Sequence, residues 1–372
     1  MRVEPTNNTP KYIRIKQEIL SWIADAQVAP HDQLPSEHEI AARFGVSRQT
    51  VRQALGDLEQ EGRLYRVQGK GTFVSGAAEQ RTESQTATIG LITTYISDYI
   101  FPTIVRGVES AARAKDWRLL LASTDNEKER ERESLASMLK EPIAGLIVEP
   151  TRSAEGNPNF DYFLALESKG IPYVLLNERY GDLDAPCLRM DDEAGGFRAA
   201  SHLLELGHRR IAGLFKTDDN QGVHRMRGFL RALREAGVPL PQDRLVRYTT
   251  EEKASRPAEA LQAMLDKPAS ERPTALVCYN DQLAVHLLDG IRARGLSVPG
   301  DLSIVGFDDS SLAVATEVKL TTFVHPKTEM GTAAVALLAG LIEGRLQRGA
   351  DLDTVFEPQL IVRESTARPR ES

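Results

Sequence analysis

The sequence predicts a small α+β domain followed by a large α/β domain of two lobes, and three observations support this. The chain has 372 residues, more than one ordinary hydrophobic core accommodates. Residues 75–87, SGAAEQRTESQTA, are small, polar and without apolar periodicity, as expected of a linker. Beyond them, short apolar runs alternate with segments of helical period, a pattern typical of α/β folds. We therefore assign 1–75 to the first domain, 76–87 to a linker and 88–372 to the second.

The composition is that of a soluble globular chain, with 41% hydrophobic and 27% charged residues. The chain has no run of about 18 apolar residues, and its polar start lacks the apolar core of a signal peptide. We therefore expect a cytoplasmic protein with no membrane segment. Cys187 and Cys278 lie in apolar runs and the seven histidines are scattered, which predicts buried free thiols and no metal centre.

The net charge of −7 is distributed unevenly along the chain. Residues 1–76 carry a charge of +1, which leaves −8 for the remainder. A local cluster of basic side chains matters more to nucleic-acid binding than the total charge does. The acidic balance therefore argues against DNA contact only for the large domain.

Capping signals divide the first domain into three helices. Apolar residues at helical spacing predict a first helix over 11–26. Ser36, with Glu39 three residues later, has the capping-box pattern at the start of the second helix, SEHEIAARF. Gly45 is placed to close that helix in the left-handed conformation, and Ser47 to cap a third helix.

The run LYRVQGKGTFV at 64–74 predicts a β-hairpin, which completes a winged helix-turn-helix. In such a domain the third helix offers polar side chains to the major groove. Arg48 and Arg52 are one turn apart, which suits contacts to guanine edges or phosphates, although the alternative is a merely solvated face. Lys70 at the hairpin tip can approach the DNA backbone. The candidate DNA-binding residues are Lys11, His38, Ser47, Arg48, Gln49, Thr50, Arg52, Gln68, Gly69 and Lys70.

The segment LPSEHEIAARFGVSRQTVRQALGDLEQEGRLYRVQGKGTFV resembles the DNA-binding domain of GntR-type regulators, and the likeness covers residues 10–75. The resemblance implies that Arg48, Arg52 and Gly69 take positions that contact DNA in this family. His38 stands where the family normally has Arg, and a neutral imidazole offers at most one weak hydrogen bond to a phosphate.

The large domain contains at least seven apolar runs of strand length. They are ATIGLITT, RLLLAS, AGLIVEP, PYVLLN, RRIAGLF, TALVCY and LSIVGF. Apolar strands that alternate with helices predict parallel sheets covered on both faces, and their number suits two lobes. Ligands of open α/β sheets bind beyond the carboxyl ends of the strands, so the functional residues are expected there.

Polar and aromatic residues follow these strand ends. Carboxylates, amides, an arginine and aromatic rings together suit a hydroxyl-rich ligand, because acceptors and donors pair with hydroxyls and rings pack on C–H faces. The alternative is that strand ends are generically polar. The candidate effector-binding residues are Tyr95, Asp98, Tyr99, Phe101, Glu149, Asn177, Lys216, Arg225, Asn280 and Asp308.

Three segments of the large domain resemble the effector domain of the LacI/GalR family: NQGVHRMRGFLRALREAG, YNDQLAVHLLDGIRARGLSVPGDLSIVGFDDS and VHPKTEMGTAAVALL. The resemblance implies a periplasmic-binding-protein-like pair of lobes with a sugar in the cleft, and Arg225, Asn280 and Asp308 as ligand-binding residues. Lobe 1 is expected over about 88–190 and 320–345, and lobe 2 over about 191–319 and 346–366.

The combination of these two domains resembles a family of arabinose-responsive repressors, to which TTYISDYIFP, GLIVEPT, TDDNQGVHRM and FEPQLIVRES are also similar. This likeness implies L-arabinose as effector, no cofactor, and repression of genes for arabinose uptake and use. Because one helix-and-wing unit covers only a half-site, we predict a homodimer on an operator with two related half-sites. Sugar binding is expected to release the operator.

Competing functions have less support from the sequence. It contains no GxSxG, P-loop, GxGxxG or metal-ligand cluster, so we expect no catalytic residues and no enzyme activity. A transport binding protein would not need the winged head. A regulator of another sugar, a phosphosugar or a nucleobase stays open, with Lys216 and Arg225 as the candidate phosphate ligands.

Overall fold

The computed structural model describes residues 10–24, 28–29, 31–60, 63–67, 71–74, 87–347 and 352–370. The chain divides into two compact units, Met1–Gln85 and Thr86–Ser372. Of the predicted linker, only residue 87 belongs to the described ranges. Each unit is described by itself below.

The described residues of the first unit form three helices and two paired strands, in the predicted order. They are α1 Lys11–Ala24, α2 Glu37–Phe44, α3 Arg48–Gln60, β1 Leu64–Val67 and β2 Gly71–Val74, with the two strands antiparallel. Ser36 Oγ accepts a hydrogen bond from Glu39 N at 3.3 Å, and Glu39 Oε2 accepts one from Ser36 N at 2.7 Å, as the capping box predicts. Gly45 ends α2 with φ 62°, a left-handed conformation that favours glycine.

The core of this unit is made by one face of each helix and by the ends of the hairpin. Ile15 and Ile19 of α1 pack with Val51 and Leu55 of α3, and all four are buried. The opposite face of α3 is exposed, because its polar residues fall on the other side of a 3.6-residue period. The core therefore fixes which side chains of α3 face outward.

Lobe 1 of the second unit is a six-stranded parallel sheet with the order β13-β7-β6-β5-β3-β4. Its strands are β3 Thr88–Thr93, β4 Arg118–Ser123, β5 Ile143–Val148, β6 Tyr173–Asn177, β7 Cys187–Met190 and β13 Thr354–Phe356. Its helices are α4 Phe101–Arg113, α5 Lys128–Met138, α6 Phe160–Ser168 and α12 Lys327–Ile342. The near-continuous apolar strands are buried because helices cover both faces of the sheet.

Lobe 2 is a four-stranded parallel sheet with the order β11-β10-β8-β9. Its strands are β8 Ile211–Lys216, β9 Leu245–Tyr248, β10 Ala275–Cys278 and β11 Ser303–Val305. Its helices are α7 Asp192–Glu205, α8 Asn220–Glu235, α9 Arg256–Leu265, α10 Asp281–Arg292 and α11 Leu312–Ala315. A separate antiparallel pair is formed by β12 Thr322–Val324 and β14 Gln359–Ile361.

The predicted lobe boundaries are wrong at two short strands. β12 lies within the range expected for lobe 1, but it packs on lobe 2, where Phe323 stacks on Phe307 with ring centroids 4.8 Å apart. β13 lies within the range expected for lobe 2, but it pairs with β7 at the edge of the lobe 1 sheet. Three-residue strands carry too little periodicity to show which sheet they join, because their partners lie far away in the sequence.

Cys187 and Cys278 are free and buried, and burial raises the pKa of both thiols, to about 12 for Cys187. Within the described ranges, no helix combines the length and apolar character needed to cross a membrane. Among the same residues, no group of three or more His, Cys, Asp or Glu side chains is placed to hold a metal ion.

Candidate functional site

Most of the predicted DNA-binding residues that the structure describes are exposed. Lys11, His38, Arg48, Gln49 and Arg52 are exposed. Ser47 and Thr50 have a local role as well, since Ser47 Oγ accepts a hydrogen bond from Thr50 N at 3.2 Å and caps α3. Gln68, Gly69 and Lys70 lie outside the described residues.

Arg52 is held by a carboxylate that sequence analysis missed. Its Nη2 lies 3.0 Å from Glu37 Oε2 and its Nε 3.3 Å from Glu37 Oε1, and the hydrogen bond from Arg52 holds the pKa of Glu37 below its ordinary value. The Arg52 side chain is nevertheless 65% exposed. Because Glu37 takes the Nε–Nη2 edge of the guanidinium, the Nη1–Nη2 edge stays available for a second bidentate partner.

A cavity of about 300 Å³ lies at the carboxyl ends of the strands, between the two lobes. Nine of the ten candidate effector-binding residues line it. They are Tyr95, Asp98, Tyr99, Phe101, Glu149, Asn177, Lys216, Asn280 and Asp308. This volume is at the small end of the range for ligand pockets, which suits a ligand of monosaccharide size.

Glu149 is the centre of the lobe 1 side of the cavity. Its Oε2 accepts hydrogen bonds from Thr93 Oγ1 at 2.9 Å, Thr94 N at 2.8 Å and Thr94 Oγ1 at 2.7 Å. Its Oε1 accepts one from Asn177 Nδ2 at 2.7 Å. Burial raises the pKa of Glu149, while these four hydrogen bonds act in the opposite direction.

The side chain of Asn177 is oriented from both ends. Its Nδ2 donates to Glu149, and its Oδ1 accepts a hydrogen bond from His325 Nε2 at 3.2 Å. Burial lowers the pKa of His325 to about 4, so this ring is neutral at physiological pH. Asn177 also has φ 65°, which turns the chain at the end of β6. The carboxamide therefore has one fixed orientation at the edge of the cavity.

Tyr95, Tyr99 and Phe101 form the aromatic side. The rings of Tyr95 and Phe101 lie 5.5 Å apart and provide an apolar surface. Tyr99 joins the two lobes, because its hydroxyl donates to Phe307 O at 3.0 Å and accepts from Asp281 N at 3.2 Å. Burial raises the pKa of Tyr99 well above its ordinary value, so it acts as a neutral phenol.

Lys216 is neutralised by two carboxylates of its own lobe. Its Nζ lies 3.1 Å from Asp218 Oδ1 and 2.9 Å from Asp219 Oδ2, and these carboxylates raise its pKa against the effect of burial. The hydroxyl of Tyr279 also donates to Asp219 Oδ2 at 2.8 Å. Lys216 can therefore donate a hydrogen bond into the cavity, but it brings no excess positive charge.

Asn280 lines the lobe 2 side of the cavity and begins α10. Its Oδ1 caps the helix by accepting a hydrogen bond from Leu283 N at 2.9 Å. This cap fixes the carboxamide and leaves Nδ2 as the donor that can face the cavity.

Arg225 lies behind the cavity and is not among the residues that line it. Its Nε donates to Asp192 Oδ1 at 2.6 Å, its Nη1 to Tyr279 O at 2.7 Å and its Nη2 to Asp308 Oδ1 at 3.2 Å. Its Cζ lies 4.4 Å from the centroid of the Phe307 ring. Three of its nitrogens are thus engaged within the protein, and Arg225 orients Asp308, which does line the cavity.

Several residues of the cavity were missed by sequence analysis. Some directly adjoin a predicted residue, while others come from loops and helices that carry no strand-end signal. They include Asn126, Glu178, Asp219, Gln221, Tyr248, Lys253, Tyr279, Gln282 and His286.

Models of two protein families match the chain. The model described as "Bacterial regulatory proteins, gntR family" matches residues 11–74, and that described as "Periplasmic binding protein-like domain" matches residues 200–366. Among solved structures, the transcription regulator CcpA of Lactococcus lactis is similar with a TM-score of 0.65 and 25% identity, covering 76% of this chain and 99% of that one. The predicted fold class, a winged helix-turn-helix followed by a two-lobed α/β effector domain, is confirmed.

Two curated relatives match nearly the whole chain. An arabinose metabolism transcriptional repressor from Geobacillus stearothermophilus is 57% identical over 359 residues, which is 96% of this chain and 98% of the relative. A second, from Halalkalibacterium halodurans, is 47% identical over 366 residues, 97% of each chain. The chain therefore belongs to the family of arabinose metabolism transcriptional repressors, which bind DNA through a GntR-type head and carry a LacI-type effector domain.

Proposed function

We propose that this chain represses arabinose utilisation genes as a homodimer and leaves its operator when L-arabinose binds between the lobes. The observation that carries the proposal is the cavity of about 300 Å³, which is lined by nine of the predicted residues. Eight of them have polar groups that pair with hydroxyls, and the ring of Phe101 can pack on C–H faces. The family membership and the names of the two relatives support the same ligand.

The DNA-binding half of the proposal rests on the outer face of α3. Arg48, Gln49 and Arg52 are exposed together there, and the fork of Arg52 has one edge free for guanine O6 and N7. One such face covers only a half-site, so we propose a homodimer with two heads on related half-sites. The wing residues Gln68, Gly69 and Lys70 are proposed to contact the backbone.

The charges of the cavity favour a neutral ligand. Five carboxylate side chains and two lysines line it, and Lys216 is already paired with Asp218 and Asp219. The two expected phosphate ligands, Lys216 and Arg225, are both paired with carboxylates. The second lysine of the lining, Lys253, lies over the ring of Tyr95 and faces an excess of carboxylates. A phosphosugar is therefore disfavoured. A LacI family regulator from Enterococcus faecium with bound ribose is similar with a TM-score of 0.64 and 26% identity. A neutral pentose fits this pattern.

A nucleobase is the competing ligand class, because Tyr95 and Phe101 offer aromatic surface on one side of the cavity. The relatives are transcriptional regulators, and we propose that the chain acts in the cytoplasm by binding, without catalysis and without a cofactor. Recovery of unchanged sugar after incubation with the protein tests the last point.

A thermal-shift panel of pentoses, hexoses, phosphosugars and nucleobases tests the ligand. A ligand at 100 times its dissociation constant stabilises the folded protein by about 2.7 kcal/mol. We expect L-arabinose to give this effect, while a phosphosugar gives none. Stabilisation by a nucleobase and not by L-arabinose would contradict the proposed ligand.

An operator titration with and without saturating L-arabinose, at one salt concentration, tests the direction of control. The sugar should weaken operator binding by its differential affinity for the two states, typically about 1–3 kcal/mol. Tighter DNA binding with sugar would instead make the protein a co-repressor-dependent regulator.

A further inference from the structure

Residues 249–255 connect β9 to α9 in lobe 2 and reach across to lobe 1. Three residues of this segment each contact a side chain of the other lobe. The pairs are Thr250–Asn126, Glu251–Arg152 and Lys253–Tyr95. This short loop of lobe 2 therefore bridges the cleft between the lobes through three separate side-chain contacts.

Thr250 connects lobe 1 with the lobe 2 side of the cavity. Its Oγ1 accepts a hydrogen bond from Asn126 Nδ2 at 2.7 Å and donates one to Asp218 Oδ2 at 2.6 Å. Its backbone N donates to the same oxygen at 2.8 Å. Asp218 in turn pairs with Lys216, which lines the cavity. One hydroxyl group therefore links the position of Asn126 to that of Lys216.

Both ends of this bridge are held in place. Asn126 is buried, and its Oδ1 accepts a hydrogen bond from Arg152 N at 3.1 Å, while Arg152 Nε donates to Asn126 O at 3.0 Å. On the lobe 2 side, His286 Nε2 lies 3.2 Å from Ala254 O. Lys253 and Ala254 line the cavity, so the segment also forms part of its wall.

We propose that residues 249–255 are a clasp that keeps the lobes closed over the sugar, with Thr250 and Glu251 as positioning residues. The inference rests on the proposed function, since it takes this cavity as the effector site. Neither Thr250 nor Glu251 lines the cavity. They act on the retention of the sugar and not on its recognition, and therefore on the dissociation rate more than on the association rate.

The test measures L-arabinose association and dissociation rates by stopped flow on the full chain. Thr250→Val keeps the shape of the side chain but leaves the buried Asn126 Nδ2 without its acceptor. We expect its dissociation rate to rise about tenfold, with little change in association, and Glu251→Gln to have a smaller effect. Thr250→Ser retains the hydroxyl and should keep the wild-type dissociation rate.

Asp266→Asn is the matched control, because it breaks an exposed ion pair with Arg294 that stays within lobe 2. Both rates should remain at the wild-type values in this variant. Operator binding without sugar should also stay at the wild-type value in Asp266→Asn. A Thr250→Val protein that releases L-arabinose at the wild-type rate would overturn the clasp.

A wild-type protein that binds no sugar would contradict the proposed function. In that case, the distance between the lobes in the ligand-free protein tests whether residues 249–255 hold the lobes together. Spin labels on the exposed positions of Lys140→Cys and Arg234→Cys report the distance between the lobes. Thr250→Val combined with Glu251→Gln should shift this distribution toward longer distances. An unchanged distribution overturns the clasp whatever the ligand is.

Discussion

Two arginines of this chain are each paired with a carboxylate, and the two pairs have opposite surroundings. Arg52 is 65% exposed, and Glu37 occupies only one edge of its guanidinium. Arg225 is 2% exposed and engaged with Asp192 and Asp308. Pairing with a carboxylate leaves part of the exposed Arg52 guanidinium available to a DNA partner. In the buried Arg225, all three nitrogens of the guanidinium bind groups of the same domain. The two arginines therefore differ in how much of each guanidinium is engaged within the protein, and direct ligand binding by Arg225 stays a prediction.

The largest expected effect is on the buried pair. Arg225→Ala leaves Asp192 buried without its partner, and removing one member of a buried pair costs about 3–5 kcal/mol. We expect this loss in the free energy of unfolding of the large domain, measured by urea denaturation, together with loss of sugar binding. Asp192→Asn keeps the shape and should lose less.

Arg294→Ala is the control for this prediction, because its ion pair with Asp266 lies at the surface. Exposed pairs contribute little to stability, so the urea midpoint should stay near the wild-type value. Equal midpoints for Arg225→Ala and Arg294→Ala would remove the contrast between buried and exposed arginines.

The exposed pair should affect binding and not stability. Arg52→Ala should weaken specific operator binding roughly ten- to a hundredfold if Arg52 reads a base, while the melting temperature stays unchanged. Fluorescence anisotropy at fixed salt measures this. Arg14→Ala, an exposed change on α1, serves as the control. An Arg52 variant with wild-type operator affinity would contradict the assignment of α3 as the recognition helix.

A smaller effect is expected from Asn280, whose cap keeps one end of its side chain occupied. Asn280→Asp retains the oxygen that accepts from Leu283 N but loses the Nδ2 donor. L-Arabinose affinity should fall about tenfold in calorimetry, because one sugar hydroxyl loses its donor. The melting temperature should change little, and an unchanged affinity would mean that Asn280 only caps α10.

The smallest effect is expected at a third pair, His224 and Glu178. The His224 side chain is less exposed than that of Arg52 and more exposed than that of Arg225. His224 Nδ1 on α8 lies 3.0 Å from Glu178 Oε1 in lobe 1, and this hydrogen bond raises the pKa of His224. Stability from a raised pKa is fully present below the ordinary value of 6.5 and is lost as the pH rises through the raised one.

His224→Gln should therefore destabilise the protein most in mildly acidic buffer, and progressively less as the pH rises. The half-exposed position limits the effect to below about 1 kcal/mol. Paired thermal melts of the variant and the wild type across this pH range measure the difference. A difference that grows with pH would have the wrong sign for this pair.

Local signals in the sequence predicted the small domain well. Ser36, Glu39 and Gly45 act on their own neighbours, so the helix ends follow directly from residue type. β12 and β13 could not be placed in the same way, because a three-residue strand joins whichever sheet edge the rest of the chain presents. Their assignment depends on packing between segments that are distant in sequence.

The same distinction applies to the candidate site. Residues at strand ends were predictable, since parallel strands bring their carboxyl ends to one edge. Arg225 was predicted as a ligand residue, but its depth behind the cavity depends on the packing of α7 and α8. Glu37 and Lys253 were missed, because an acidic residue at a helix start and a lysine in a loop are common in sequences without any binding role.

The hydrogen bonds of Glu149 have a consequence for engineering biosensors with altered inducers. Glu149 receives four hydrogen bonds, so replacing it also releases Thr93, Thr94 and Asn177 from their positions. Libraries that randomise this position would therefore mostly yield misfolded or unresponsive variants. Diversity is better introduced at Phe101, whose ring packs against that of Tyr95 and takes no part in the hydrogen bonds of Glu149.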